Sequence, residues 1–278
     1  MEVCEVCFRH CTLNEGQTGF CGARVCREGK ITAKNYGKIT SIALDPIEKK
    51  PLNRFFPKSM IISVGSYGCN LRCPFCQNYE ISWSRQAFES DEQARTLTPE
   101  QIAELAVEYK PKGNIGVAFT YNEPLVGYEF VRDTARLVKE NGMKNVLVSN
   151  GTATAQVLDE IMPYIDACNI DLKCFNAHTY KNTLGGDMQT TLDFIATAHK
   201  TAHVELTTLI VPGINDTETE MRELSSWVAA LDNEIPLHIS RFFPRFHMTD
   251  REPTDVSLIY RLADIAREKL KYVYTGNC

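Results

Sequence analysis

Six short apolar runs punctuate the chain from residue 60 onward, and a helical pattern follows each of them. The runs cover 60–64, 115–120, 145–149, 167–172, 204–211 and 237–240. The helical patterns cover 98–109, 127–140, 155–162, 190–200, 218–231 and 256–269. The first helix opens on Thr98-Pro99-Glu100-Gln101, which supplies an N-cap, a proline at the first position and a reciprocal cap at the third. Its apolar positions Ile102, Leu105, Ala106 and Tyr109 keep the helical period. Strict alternation of strand and helix argues for a parallel sheet, because parallel neighbours need a crossover and a helix provides one. The expectation is an α/β fold: a partial (β/α)6 TIM-like barrel over residues 60–278, with 272–274 able to add a short seventh strand. No sequence repeat of domain-building length interrupts this pattern. Residues 1–59 form a small Cys-rich N-terminal extension and a strap, 45–52, read as a solvated linker.

In such barrels functional side chains gather at the C-terminal ends of the strands. The first run leads through the Gly-rich turn Gly65-Ser66-Tyr67-Gly68 into Cys69-Asn70-Leu71-Arg72-Cys73-Pro74-Phe75-Cys76. Three clustered thiolates suit an iron–sulfur cube. A cubane has four irons, so three protein ligands leave one iron open to an exogenous ligand. A zinc site completed by a distant His or Cys uses the same residue types, and so do three plain buried thiols. A loop bearing Pro74 and Asn70 is a poor place to bury three sulfurs.

The other strand ends also carry polar groups. They read Thr120-Tyr121-Asn122-Glu123-Pro124, Ser149-Asn150-Gly151-Thr152, Asp171-Leu172-Lys173, Val211-Pro212-Gly213 and Ser240-Arg241-Phe242-Phe243-Pro244. Taken singly, each can be a helix cap or a solvated loop. A barrel would bring all of them to one mouth. His238 and Arg241 lie where they could face a substrate, or serve as a structural histidine and a stem packed on aromatics. His203 falls at the opposite end and reads as structural. Cys168 reads as a buried thiol, and Cys174 lies within reach of the mouth.

Eleven cysteines with no secretory signal core point to metal or redox chemistry more than to disulfides. Cys4, Cys7, Cys11 and Cys21 offer four thiolates in a segment with too little apolar content to fold alone, so bound metal would supply the missing stability. The candidates are zinc in a Cys4 site and a second iron–sulfur cluster. Cys26 is left without a role. A net charge of −5 gives no footprint for nucleic acid, and no apolar run approaches the roughly 20 residues of a membrane span. The expectation is a cytoplasmic protein with no nucleic-acid or membrane partner.

The cysteine spacing, with aromatic Phe75 before the last thiol, resembles the signature of the radical S-adenosylmethionine (SAM) superfamily. Asn122-Glu123-Pro124 resembles that family's Gly-Gly-Glu-Pro turn, with both glycines replaced, by Tyr121 and Asn122, and the acidic residue kept. Ser149-Asn150-Gly151 resembles the strand end that meets the SAM ribose and carboxylate. Asp171-Leu172-Lys173 is similar to the Asp-Leu-Lys motif of pyruvate formate-lyase-activating enzymes. Together with Asp45-Pro46-Ile47-Glu48-Lys49-Lys50-Pro51 and Ser240–Pro244, the N-terminal cysteines resemble the AmmeMemoRadiSam-system radical SAM proteins, in which further cysteines usually follow the last strand. The resemblance implies a [4Fe–4S] cluster on Cys69, Cys73 and Cys76 and SAM on its open iron. It implies SAM contacts from Phe75, Asn122, Glu123, Ser149, Asn150, Asp171 and Lys173. The implied activity is an activating-enzyme-like oxidoreductase: reductive cleavage of SAM to a 5′-deoxyadenosyl radical, with electrons from reduced flavodoxin or ferredoxin, then hydrogen abstraction from a protein. A small molecule or a protein side chain is the alternative substrate. Two other classes stay open, a metal-stapled interaction module and an electron-transfer protein.

Overall fold

A computed structural model describes residues 1–84, 87 and 94–278. Its centre is an eight-stranded sheet built from β1 (Ser41–Pro46), β2 (Met60–Gly65), β3 (Asn114–Phe119), β4 (Lys144–Ser149), β5 (Ala167–Asp171), β6 (His203–Ile210), β7 (Leu237–Arg241) and β8 (Val273–Gly276). The spatial order follows the chain order. Strands β2 to β8 run parallel, and β1 lies antiparallel on β2. The six anticipated strands are all present, and the short seventh forms as β8. The two edge strands do not pair with each other among the described residues, so the barrel stays open.

The crossovers are α1 (Pro99–Glu108), α2 (Tyr128–Glu140), α3 (Ala155–Ile161), α4 (Ala177–Asn182), α5 (Met188–Ala198), α6 (Glu218–Asp232) and α7 (Val256–Arg267). The capping box ahead of α1 is made: Gln101 N donates to Thr98 Oγ1, and Thr98 N donates to Gln101 Oε1. Helix α4 had no clear sequence signal. It is six residues long and held by its Asn176 cap, whose side chain accepts from Thr179 N. Among the described residues no helix is long and apolar enough to cross a membrane.

The strap is not the solvated linker its polar sequence suggested. Residues 41–46 are strand β1, and the segment after it turns into the barrel. Ile47, Leu52 and Phe55 pack on Ile61, Ala118, Val146 and Ala167 from β2 to β5. Each fully buried aliphatic here is worth about 1.5–3 kcal/mol. The reason lies in alternation that charge obscures: Ile47 and Leu52 are fully buried while Glu48 and Lys49 stay exposed. Lys50 is 3% exposed, and its ammonium donates to Asp45 at 2.9 Å. Pro51 O accepts from Asn169, and Asn53 N and Arg54 N donate to Glu205 inside the barrel. Glu205 also binds the rings of His203 and His238, at 2.9 and 2.6 Å. Burial opposes its charge, but these donors hold its pKa down to about 2.

The N-terminal segment has little core of its own. It consists of two-residue pairings, Glu2–Val3 on Thr12–Leu13, and a hairpin of Arg24–Arg27 on Lys30–Ala33. It docks on the barrel just beyond β4, where Phe8 N donates to Thr152 O, Thr154 N donates to Val6 O, and Cys7 bridges Ala153.

Candidate active site

The loop that carries Cys69, Cys73 and Cys76 leaves β2 at Gly65 and is fixed from several sides. Gly68 has φ +95°, and a Cβ there would lie 2.8 Å from both Ala23 Cβ and Cys21 O. Only glycine allows that approach. Cys69 N donates to Cys21 O at 3.2 Å, Arg72 N to Leu184 O at 2.8 Å, and His247 N to Pro74 O at 2.9 Å. The Arg72 guanidinium donates to the carbonyls of Cys69 and Leu71. Phe75 is buried beneath the loop.

The three thiols border a cavity of about 930 Å³ inside the barrel, together with Glu123, Asp171 and Lys173 from the ends of β3 and β5. That volume suits a small ligand with room for a second. Cys73 is buried and the other two are partly exposed. Burial pushes the Cys73 thiol up to about 12 despite the opposing charge of Lys173. Burial also lifts Cys69, with the Glu123 charge adding to it, and lifts Cys76 against the Asn78 backbone amide and Lys173. Such thiols ionise when a cation takes the place of the proton. Among the described residues no three His, Cys, Asp or Glu side chains are grouped to hold a single metal ion. A lone zinc on these cysteines is therefore not favoured, whereas a cluster takes each thiolate on a different iron.

Glu123 is 4% exposed. Ser149 Oγ donates to its Oε1, Asn150 N to its Oε2, and Leu125 N to its Oε1. Burial outweighs these donors and raises the carboxyl to about 7. Asn122 is spent on the cysteine loop: its side chain accepts from Ser66 N and donates to Gly68 O. Asn150 donates to Asn70 Oδ1 at 2.9 Å and to Cys69 Sγ at 3.7 Å, while Thr152 donates to its carbonyl. Asp171 and Lys173 pair at 2.8 Å at the cavity edge. Burial lowers Lys173, but Asp171 and the Cys73 thiol overcome it and raise the net pKa.

The turn between β3 and Glu123 keeps a glycine-like backbone without the glycine. Tyr121 has φ +74°. A non-glycine residue there costs about 1–3 kcal/mol. Three contacts hold it: its hydroxyl donates to Asp45 at 2.9 Å, Asn78 donates to its carbonyl at 2.7 Å, and the Lys50 ammonium lies 4.7 Å from its ring centre. The strap thus supports the turn that presents Glu123.

Several residues at the cavity had no sequence argument behind them: Asn169, Thr207, Arg245 and Tyr274; Lys49 and Lys50 of the strap, whose charges could be read as docking a substrate or as a solvated loop, also border it. Asn169 and Thr207 hydrogen bond each other at 2.9 Å. Their signal was a polar side chain at an inward position of an otherwise apolar strand, as it was for Glu205. His238 lines the cavity and stacks on Tyr274. Cys174 does not approach the mouth. It is fully buried, and its thiol donates to Asn176 O.

Comparison with known proteins gives a consistent family pattern. Residues 63–228 match the model of the Radical SAM superfamily. The chain is 42% identical over 278 residues to the uncharacterized protein MJ0808 of Methanocaldococcus jannaschii, spanning 99% of this chain and 80% of that protein. It is 28% identical over 172 residues to pyruvate formate-lyase 1-activating enzyme of Escherichia coli K12, spanning 60% of this chain and 67% of that enzyme. Streptococcus suis SuiB bound to S-adenosylmethionine shares the fold at 13% identity with a TM-score of 0.59, over 76% of this chain and 48% of SuiB. The chain thus spans about half the length of SuiB.

Proposed function

The chain belongs to the radical SAM superfamily, and from that premise we propose that it is an activase-like radical enzyme in which Cys69, Cys73 and Cys76 hold a [4Fe–4S] cluster with one iron open to SAM. Membership makes the chain an enzyme, and the family implies both the cluster and SAM. The donor set supports the fit: three thiols on one fixed loop border a cavity large enough for a nucleotide. When bound and given one electron from reduced flavodoxin or ferredoxin, cluster and SAM supply methionine and a 5′-deoxyadenosyl radical, which takes a hydrogen atom from substrate.

The chain's own residues bind, orient and shield. Glu123, ionised in the complex, would accept from the N–H groups of the SAM amino nitrogen, and a bond to a carboxylate is stronger than a neutral one. Ser149 and Asn150 fix the Glu123 carboxylate, and Asn122 ties that turn to the cysteine loop. Lys173, held by Asp171, answers the SAM carboxylate or ribose hydroxyls. Phe75 packs the loop against the barrel. Residues 60–278 carry this chemistry, and residues 1–59 dock against it, with Ile47, Leu52 and Phe55 packed on the strands of the open barrel.

The substrate in this reading is a glycine backbone of a partner protein, which would emerge as a glycyl radical. The likeness to pyruvate formate-lyase-activating enzymes supports it. One observation favours a second reading, a small acidic substrate. Arg241, Arg245 and Lys49 border the same cavity, and among the described residues Arg241 and Arg245 pair with no carboxylate.

The observation that carries the proposal is the meeting of three thiols, Glu123 and the Asp171–Lys173 pair on one cavity. Anaerobic reconstitution with iron and sulfide, reduction with dithionite and quantification of 5′-deoxyadenosine test it. Wild-type protein should release the nucleoside and Cys73→Ala should not. Undiminished release by the variant would refute the cluster assignment. A radical doublet in paramagnetic resonance after mixing with a candidate protein supports the activase version, and turnover of a small acid without it supports the other.

A further inference from the structure

A second set of thiols faces a cavity of its own. Cys4, Cys7, Cys11 and Cys21 line a pocket between the N-terminal segment and the barrel, with Arg9, Arg24 and Asn70 in its wall. Three of the four cysteines are buried. Cys4 N donates to Cys11 O at 2.9 Å, which holds those two strands of the segment together.

The wall of this pocket is prepared for negative charge. Arg24 is 5% exposed. Its Nη1 donates to both oxygens of Glu129 and its Nη2 to Ile31 O. Its buried Nε has no hydrogen-bond partner among the described residues. An orphaned guanidinium nitrogen in such a place costs about 1–3 kcal/mol unless an acceptor arrives. Arg9 lies over the Phe20 ring at 3.4 Å and donates to Asn70 O at 2.7 Å.

We propose that Cys4, Cys7, Cys11 and Cys21 hold a second iron–sulfur cluster that relays electrons to the group held by Cys69, Cys73 and Cys76. Four thiolates fill the coordination of such a cluster, so this site is closed to substrate, unlike the first. Zinc is the less suitable occupant. A tetrahedral Cys4 zinc site draws its sulfurs to about 2.3 Å from one ion. Yet among the described residues these thiols are not grouped for a single ion, and neither are the three on the barrel loop.

The sites are in direct contact. Cys69 N donates to Cys21 O, so one hydrogen bond joins a ligand of each set. Asn70 lines the N-terminal pocket and accepts from Asn150, whose amide also lies 3.7 Å from Cys69 Sγ. The electron count is simple. A low-potential one-electron donor is oxidised by one electron, the second cluster is reduced by one, and it passes that electron inward. The relay, though not the second cluster, rests on the function proposed above.

The test is iron, zinc and acid-labile sulfide on anaerobically purified full-length protein and two variants, with far-UV circular dichroism as a folding check. The triple variant C69A/C73A/C76A should keep about half the wild-type iron and a paramagnetic signal on reduction, since two clusters share the total. The double variant C7S/C11S should lose the other half and keep the barrel signal. Zinc in place of iron in the triple variant, or a folded triple variant with no metal, overturns the proposal. Should the triple variant fail to fold, unchanged iron in C7S/C11S overturns it equally. Full wild-type iron in the triple variant would instead refute the first cluster and leave the second standing. For the relay, fully reduced wild-type protein should show spin–spin splitting absent from both variants. Two independent, unsplit signals would refute it.

Discussion

The thiols of the barrel loop and those of the N-terminal segment stand on different scaffolds. The barrel loop leaves β2, which is paired on both sides within the eight-stranded sheet, and backbone hydrogen bonds to Cys21, Leu184 and His247 hold it in place. The N-terminal thiols sit among two-residue strand pairs that rely on docking to Thr152–Thr154. A rigid loop can leave one coordination site open, because its own fold does not depend on saturating the metal. A segment without a core uses every thiol it has, because there the metal supplies folding energy. The number of cysteines in each region follows from how much structure surrounds it.

The largest expected effect separates the regions by function. Cys73→Ala should lose both SAM cleavage and SAM-dependent changes in the cluster spectrum, whereas Cys7→Ala should keep SAM binding and lose rate. Equal loss of SAM affinity in both, by equilibrium dialysis, would erase the distinction. Next comes the ligand side of the barrel site. Glu123→Gln should weaken SAM binding about 10- to 100-fold, the worth of a buried charge-assisted bond. Because the free carboxyl is raised to about 7, it must lose its proton to accept from both N–H groups of the SAM amino nitrogen as a carboxylate. SAM affinity should therefore fall as pH drops below about 7, and a flat profile between pH 6 and about 8 would count against Glu123 as the partner.

The third prediction concerns the barrel's own anchoring. Glu205 ionises at about 2 in the folded protein against an ordinary 4.5. Its contribution, about 3 kcal/mol at most, is full above pH 4.5 and is lost as pH falls toward about 2. Glu205→Gln should flatten the acid limb of the metal-free protein's denaturation midpoint and loosen the strap. An unchanged acid limb would mean that the strap is held by its apolar residues alone. The smallest effect lies at the seam between the regions. Gly68→Ala should cost about 1–3 kcal/mol and expose the first 40 or so residues to protease, through its positive φ and its contact with Cys21. Unaltered proteolysis would mean that the segment is held elsewhere.

Much of this was legible in the chain. Strand–helix alternation gave the barrel because each strand carries an uninterrupted apolar core, and the cysteine spacing gave the loop because local motifs survive without tertiary context. The strap's burial is hidden in the sequence because Ile47 and Leu52 are separated by charges, one of which, Lys50, is itself buried on Asp45. The left-handed Tyr121 was invisible, since only a distant hydroxyl acceptor makes it tolerable. Contact between the two cysteine sets was out of reach of sequence too. It depends on Gly68 meeting Cys21, residues 47 positions apart in the chain.

The most direct test of an open iron at Cys69, Cys73 and Cys76 is electron–nuclear double resonance on the reduced protein with SAM labelled at its amino nitrogen. A nitrogen hyperfine coupling to the cluster, absent from Cys73→Ala, is the result this account predicts. A reduced cluster with SAM bound and no such coupling would contradict it.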